Sequence, residues 1–265
     1  LDLEFADHRV DQGRPADDGR DVFAATLEAN RRGLAPERRA VSALAAGAAE
    51  RPEHREQGYG ALLVAPGGMA LAGHGSWLAA SGQPPREAVL AADVVQLGSL
   101  SWRGSSNYEG TGYPATLMGV MAHLRQVLLD AQRHTSLQER WLAGRASRRP
   151  PHDAVLEALA PLLSGHTPLL CEAREEEDVR LVLALAEEFP GLRVIVLGGL
   201  EAYELAGPLA ERGVGVILDL AFGDEPEGLG DDADDGADDE LDVDAPWDAA
   251  IPERLAEDRR RRWLE

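Results

Sequence analysis

The fold is decided by residues 167–218, which read TPLLCEAREEEDVRLVLALAEEFPGLRVIVLGGLEAYELAGPLAERGVGVIL. Three short apolar runs in this stretch have the length and composition of buried strands: residues 167–172, 193–197 and 214–218. The segments between them, 175–189 and 200–206, carry apolar residues at helical spacing. Strand–helix–strand order with short connections predicts parallel strands joined by right-handed crossovers. This stretch therefore predicts an α/β protein.

Upstream, the elements are less regular. Residues 61–65 form a short apolar run closed by a glycine-rich turn, and residues 94–100 form a second strand candidate. A long helix is predicted over 113–146, with Pro114 in its first turn, where the missing N–H costs nothing. Its apolar residues recur at a period near 3.6 and predict a buried face: Leu117, Val120, Met121, Leu124, Val127, Leu128 and Ala131.

These elements suggest four segments: an N-terminal helical or irregular segment 1–57, a partial barrel 58–223 containing the long helix 113–146, an acidic low-complexity linker 224–246, and a C-terminal helix 247–265. The linker is assigned from its Asp- and Gly-rich composition, which cannot bury a core.

The charge of the chain excludes one class of partner. The formal net charge is −21, and residues 224–244 hold twelve acidic residues and no basic one. Nucleic-acid binding needs clustered cations against phosphates, so we expect no nucleic-acid partner. No apolar run approaches the roughly 18 residues of a transmembrane helix, so we also expect no membrane span.

Cysteine and lysine usage exclude further chemistry. All 26 basic residues are arginine, which removes Schiff-base lysines, a phosphate-loop lysine and a carbamylated-lysine metal bridge. The single Cys171 rules out a disulfide within the chain and a multi-cysteine zinc site. One cysteine fits a cytoplasmic or a periplasmic location equally well, so the compartment stays open.

Two candidate site residues lie at the end of the strand 167–172. Cys171 could act as a nucleophile only with a nearby base, and His166 stands at the other end of the strand; a small buried residue is the favoured interpretation. Glu172 carries a carboxylate that emerges from a buried strand, so it must reach solvent, an arginine or a metal. We therefore take Glu172 as the first candidate ligand.

Histidines supply the other candidates. His123 shares one side of the long helix with Gln126, Asp130 and His134, a stripe that suits either a metal site or a polar helix face. His74 lies in a glycine-rich turn, where the backbone could approach a ligand closely.

Four stretches together resemble the imidazolonepropionase-like bacterial branch of the amidohydrolase superfamily: residues 58–66, 112–119, 168–173 and 194–203. The resemblance spans roughly residues 55–220. It implies a parallel (β/α) barrel of TIM type with a helical insertion. It also implies hydrolysis of C–N bonds in cyclic amides and a divalent metal, zinc or similar.

The chain departs from that pattern at the metal ligands. It contains no His-x-His pair, Glu172 stands where the fifth strand would end in histidine, and Gly198 or Gly199 stands where the sixth would. The last strands, with their Asp, are missing, and the chain begins without Met, so we expect a truncated, incomplete barrel. A metal-activated hydroxide needs about three protein ligands, so we expect weak or no hydrolysis.

Two alternatives stay open. The first is a non-catalytic ligand-binding or scaffold domain, with a barrel mouth around Glu172 and Gly199 that holds a small molecule or a partner. The second is a metal hydrolase with a rearranged site built from Glu172, His74 and His123. Expected partners are a small-molecule ligand and either the remaining barrel segments or a second copy of the chain.

Overall fold

The computed structural model describes residues 33–44, 52–81, 83–101, 114 and 116–219. The chain divides into two compact units after Asp219, and all described residues belong to the first. Most of the predicted N-terminal segment 1–57, the linker 224–246 and the C-terminal helix 247–265 lie outside the described residues.

Six strands form one mixed sheet in sequence order. They are β1 Ala61–Val64, β2 Leu71–Ala79, β3 Val89–Ser99, β4 Leu169–Ala173, β5 Val194–Gly198 and β6 Gly215–Leu218. The pairs β1–β2 and β2–β3 are antiparallel, whereas β3–β4, β4–β5 and β5–β6 are parallel. The sheet curls into a half-barrel with helices, consistent with an incomplete α/β barrel.

Eight α-helices accompany the sheet in the described part of the chain. They are α1 Ala40–Ala43, α2 Pro52–Glu56, α3 Pro85–Ala88, α4 Leu117–Leu142, α5 Ala154–Ala158, α6 Ala160–Leu163, α7 Glu176–Glu188 and α8 Ala206–Glu211, with a 3₁₀ turn at Ala202–Leu205 before α8. None of the helices in these ranges is long and apolar enough to cross a membrane.

The parallel half of the sheet confirms the prediction from residues 167–218. Strands β4, β5 and β6 lie within one or two residues of the expected bounds, and α7 fills the predicted crossover between β4 and β5. Alternate residues of β4 pack under this helix: Leu169, Cys171 and Ala173 share one core cluster with Val179 and Val182. The helices therefore cover the face of the sheet on which Cys171 lies.

The antiparallel half contradicts two expectations. The early strands do not pair in parallel, and residues 71–79 form strand β2 where a glycine-rich turn was expected. The glycines serve close packing inside a strand. A Cβ at Gly73 would lie 2.5 Å from the Arg38 carbonyl oxygen, and one at Gly75 would lie 2.9 Å from Val95 Cγ2. Glycine lets neighbouring chain segments approach β2 closely. In the sequence, such strand glycines look the same as the glycines of a turn.

The long helix α4 is shorter than the predicted span 113–146. It begins at Leu117, where the Thr116 hydroxyl accepts a hydrogen bond from the Gly119 N–H at 3.1 Å, and ends at Leu142. Thr116 is thus the N-cap, and Pro114 precedes the helix. The predicted apolar face is confirmed, since its members from Val120 to Ala131 are buried.

Candidate functional site

Charged side chains gather where the parallel strands end. Glu172 is the penultimate residue of β4, Arg174 directly follows β4, and Asp219 directly follows β6. Parallel strands present their carboxyl ends at one edge of a sheet, which is where ligands bind in open α/β sheets and barrels. This Glu172–Arg174–Asp219 network is the candidate site.

Arg174 joins the two acids. Its Nε lies 3.7 Å from Glu172 Oε1, and its Nη2 lies 3.4 Å from Asp219 Oδ2. To reach Asp219 the arginine crosses the end of β5, where Gly198 has φ of +101° and a Cβ would lie 3.1 Å from Arg174 Cγ. A larger residue at position 198 would crowd the arginine stem, so the glycine provides its path.

Hydrogen bonds hold the loops of this edge together. The Gly199 N–H donates to the Ala173 carbonyl and the Asp219 N–H donates to the Gly198 carbonyl, each at 2.9 Å. At the start of α7, the Glu176 N–H donates to Glu201 Oε2 at 2.9 Å. The loops after β4, β5 and β6 are therefore tied to one another, and the charged network sits on a fixed frame.

Cys171 takes no part in the network. The thiol lies on the helix-covered face and is fully buried, and desolvation raises its pKa to about 12, with smaller contributions from Asp178 and Glu172. It stays protonated at neutral pH, and a protonated thiol is neither a nucleophile nor a metal ligand. This agrees with the interpretation of Cys171 as a small buried residue.

The other two predicted ligands lie elsewhere. His74 is in β2 and pairs with Gln96 of β3, which in turn pairs with Leu169 of β4. Registered partners share a face, so His74 lies on the face of Leu169 and Glu172 on the opposite one. His123 lies on α4 with 5% of its surface exposed, and His134 is buried too, so neither histidine faces solvent. His134 instead faces a neighbouring segment, since its Nε2 lies 3.5 Å from Glu157 Oε1 of α5.

The donor set at the sheet edge does not fit a catalytic metal. Glu172 and Asp219 already share the Arg174 cation, and Gly198 and Gly199 have no side-chain donor atom. Among the described residues, no three or more His, Cys, Asp or Glu side chains are grouped so as to hold a metal ion. Glu172, His74 and His123 thus do not form a joint site there, and a metal-binding role for any one of them stays a prediction.

Two paired polar residues lie in the antiparallel half of the sheet, His74 of β2 and Gln96 of β3, and the sequence analysis identified only His74. Gln96 is 0% exposed, and within the described part of the chain neither atom of its side-chain amide has a hydrogen-bond partner. Neighbouring His74 also has its Nδ1 buried without one among those residues. The hydrophobic alternation of the sequence does not show that Gln96 is buried, because that assignment also requires the register of strand pairing.

We expect Gln96→Met to raise the free energy of unfolding by about 1–3 kcal/mol, because the change removes an unpartnered buried amide while keeping its volume. Urea denaturation of both proteins measures the difference. Gln126→Met, at an exposed position of α4, is the matched control and should change stability by less than about 0.5 kcal/mol. A loss of stability in Gln96→Met would show that the amide is satisfied in solution.

His74 makes stability depend on pH. Burial lowers its pKa, Asp93 opposes the shift, and Arg39 adds to it. Because the folded-state pKa lies below the unfolded value of about 6.5, neutral His74 stabilises the fold above that pH. The stabilisation is lost as pH falls through the folded-state pKa.

Relative to a His74→Gln variant, the wild type should therefore lose stability as pH drops below about 6.5. Urea denaturation across a pH series measures the two profiles. His166→Gln, at an exposed position, controls for removing one histidine. Parallel profiles for wild type and His74→Gln would contradict the prediction.

The six-stranded sheet and its covering helices form a curled half-barrel, consistent with an incomplete α/β barrel, and the candidate site lies at the carboxyl ends of its parallel strands. The fold is similar to the crystal structure of an amidohydrolase from Thermotoga maritima, with a TM-score of 0.61 and 20% sequence identity. The match covers 72% of this chain and 50% of that one, so the chain spans about half the length of that structure. No family model and no curated protein matches the sequence.

Proposed function

We propose that this chain is an amidohydrolase-like domain, related to hydrolases of C–N bonds in cyclic amides, with weak or no hydrolytic activity of its own. The fold likeness supports the class, and the resemblance of residues 168–173 and 194–203 supports the imidazolonepropionase-like branch. In this proposal the sheet is part of a TIM-type barrel.

One observation carries the proposal of weak activity. At the edge where a hydrolytic metal would need about three protein ligands, Arg174 stands between Glu172 and Asp219, and β5 ends in glycine. A guanidinium is a permanent cation and has no lone pair to offer a metal. These features support weak or absent metal-dependent hydrolysis at this edge.

The same network favours a second candidate, a non-catalytic domain that binds a small polar ligand. The Arg174 side chain is 51% exposed and has five N–H donors, more than its two carboxylate neighbours use. A scaffold role would use the same surface.

A hydrolysis assay tests the proposal. Purified chain is incubated with hydantoin and with dihydrouracil as cyclic amide probes, with and without added Zn²⁺ or Mn²⁺, and ring opening is followed by ultraviolet absorbance. We expect no turnover above the uncatalysed rate. Turnover that disappears in Glu172→Ala but survives in Glu177→Ala, an exposed acid of α7, would overturn the proposal.

A further inference from the structure

The arrangement around Arg174 is that of a cation held by carboxylates from separate strands. Glu172 comes from β4 and Asp219 follows β6, so the two acids stand on either side of the end of β5. Without a cation between them, these like charges would repel one another and raise the cost of folding. Their side chains are 37% and 28% exposed, so water screens the repulsion only in part.

Where a protein holds a divalent metal, that ion is often the largest local charge in its site. Here the guanidinium supplies the positive charge instead, since it approaches Glu172 through Nε and Asp219 through Nη2. Gly198 fits this arrangement in two ways, because its side chain offers no metal ligand and it leaves space for the Arg174 side chain. A Cβ at position 198 would lie 3.1 Å from Arg174 Cγ. Arg174, Gly198 and Asp219, at the ends of three consecutive strands, therefore all fit the replacement of a metal cation by the guanidinium.

We propose that the Arg174 guanidinium replaces a metal ion as the cation that joins Glu172 and Asp219 at the carboxyl edge of the sheet. The chain carries its own counter-ion, and the two carboxylates become available to a divalent cation only when that counter-ion is removed. The inference rests on the proposed function only in taking this edge as the ancestral site. It can fail independently, because its test measures cation binding and not hydrolysis.

The experiment uses the full chain and Mn²⁺, a cation that accepts carboxylate and water ligands. Bound Mn²⁺ is counted by electron paramagnetic resonance in the wild type, Arg174→Gln and Arg180→Gln. Arg180 pairs with Glu176 on α7 and has a similarly exposed side chain, so its variant changes the net charge equally. Comparison with this control corrects for Mn²⁺ that binds to the acidic segment 224–244.

We expect Arg174→Gln to bind one more Mn²⁺ per chain than either other protein. The added site should vanish in Arg174→Gln combined with Asp219→Asn, and Arg174→Lys, which keeps a cation, should behave as the wild type. Circular dichroism confirms folding, and Arg174→Ala serves as a second neutral variant. Equal binding in all proteins, an equal gain in Arg180→Gln, or a wild-type site that Glu172→Gln removes would overturn the inference.

Discussion

A Phe189→Ala variant should lose about 3–5 kcal/mol of unfolding free energy, the range for a large aromatic removed from a core. Phe189 follows α7, is 2% exposed, and belongs to the core cluster that joins α7 to β4 and β5. Its backbone also ends the helix, since the Phe189 N–H donates to the Leu185 carbonyl at 3.1 Å. The loss should appear as a lower urea midpoint measured by circular dichroism.

Met118→Ala provides the control for this prediction. Met118 lies in the first turn of α4 with its side chain largely exposed, so its truncation should change stability by less than about 0.5 kcal/mol. Equal effects from the two substitutions would mean that α7 does not cover the sheet as described. In that case the frame that holds Glu172 and Arg174 would also be wrong.

Gly191→Ala should cost about 3 kcal/mol, the upper end of the usual range for overpacking. Gly191 lies between α7 and β5, and a Cβ there would overlap the carbonyl oxygen of Leu163 at the end of α6. The obstacle is backbone, which cannot move aside as a flexible side chain can. The two loops at the amino ends of β4 and β5 would have to separate, and thermal or urea unfolding would record the loss.

Gly207→Ala is the matched control substitution, with a small expected effect. Gly207 lies in α8, and a Cβ there meets nothing within 4 Å among the described atoms. Alanine should change stability by less than about 0.5 kcal/mol, because its lower backbone entropy in the unfolded chain is offset by Pro208, whose ring disfavours helical backbone in a preceding residue that has a Cβ. If Gly191→Ala were as well tolerated as Gly207→Ala, the packing of α6 against the turn after α7 would be contradicted.

The parallel half of the fold could be predicted because its elements follow simple periods. Strands β4 and β5 are short apolar runs, and α7 repeats Val179, Val182 and Leu183 on one face. Such patterns depend on local sequence alone. The antiparallel half depends on pairing between segments, and β2 combines small residues with glycines, so its strand character comes from neighbours that local patterns do not reveal.

The candidate site could be predicted in part. Glu172 stands out in the sequence because a carboxylate at the end of a buried strand requires a partner, and the structure supplies Arg174. That arginine is within reach of the same reasoning, since it follows Glu172 by two residues, directly after the same strand. Asp219 likewise follows a predicted strand directly. The sequence could not show that Gly198 leaves space for the Arg174 side chain to reach Asp219.

The interpretation of His74 and His123 as ligands rests on residue type, and type does not determine which face of the sheet a side chain occupies. The pairing of His74 with Gln96, and of Gln96 with Leu169, settles the face of His74. His123 lies buried on α4, a helix that packs on α5 and α6. Both positions depend on tertiary pairing that sequence spacing does not encode.

The central claim, that this amidohydrolase-like edge holds an arginine where a metal would stand, is tested most directly by metal content. The purified, dialysed chain and its Glu172→Ala variant are analysed for zinc, iron and manganese by elemental mass spectrometry. The account predicts far less than one metal ion per chain in both proteins. Near-stoichiometric metal in the wild type that falls away in Glu172→Ala would contradict it.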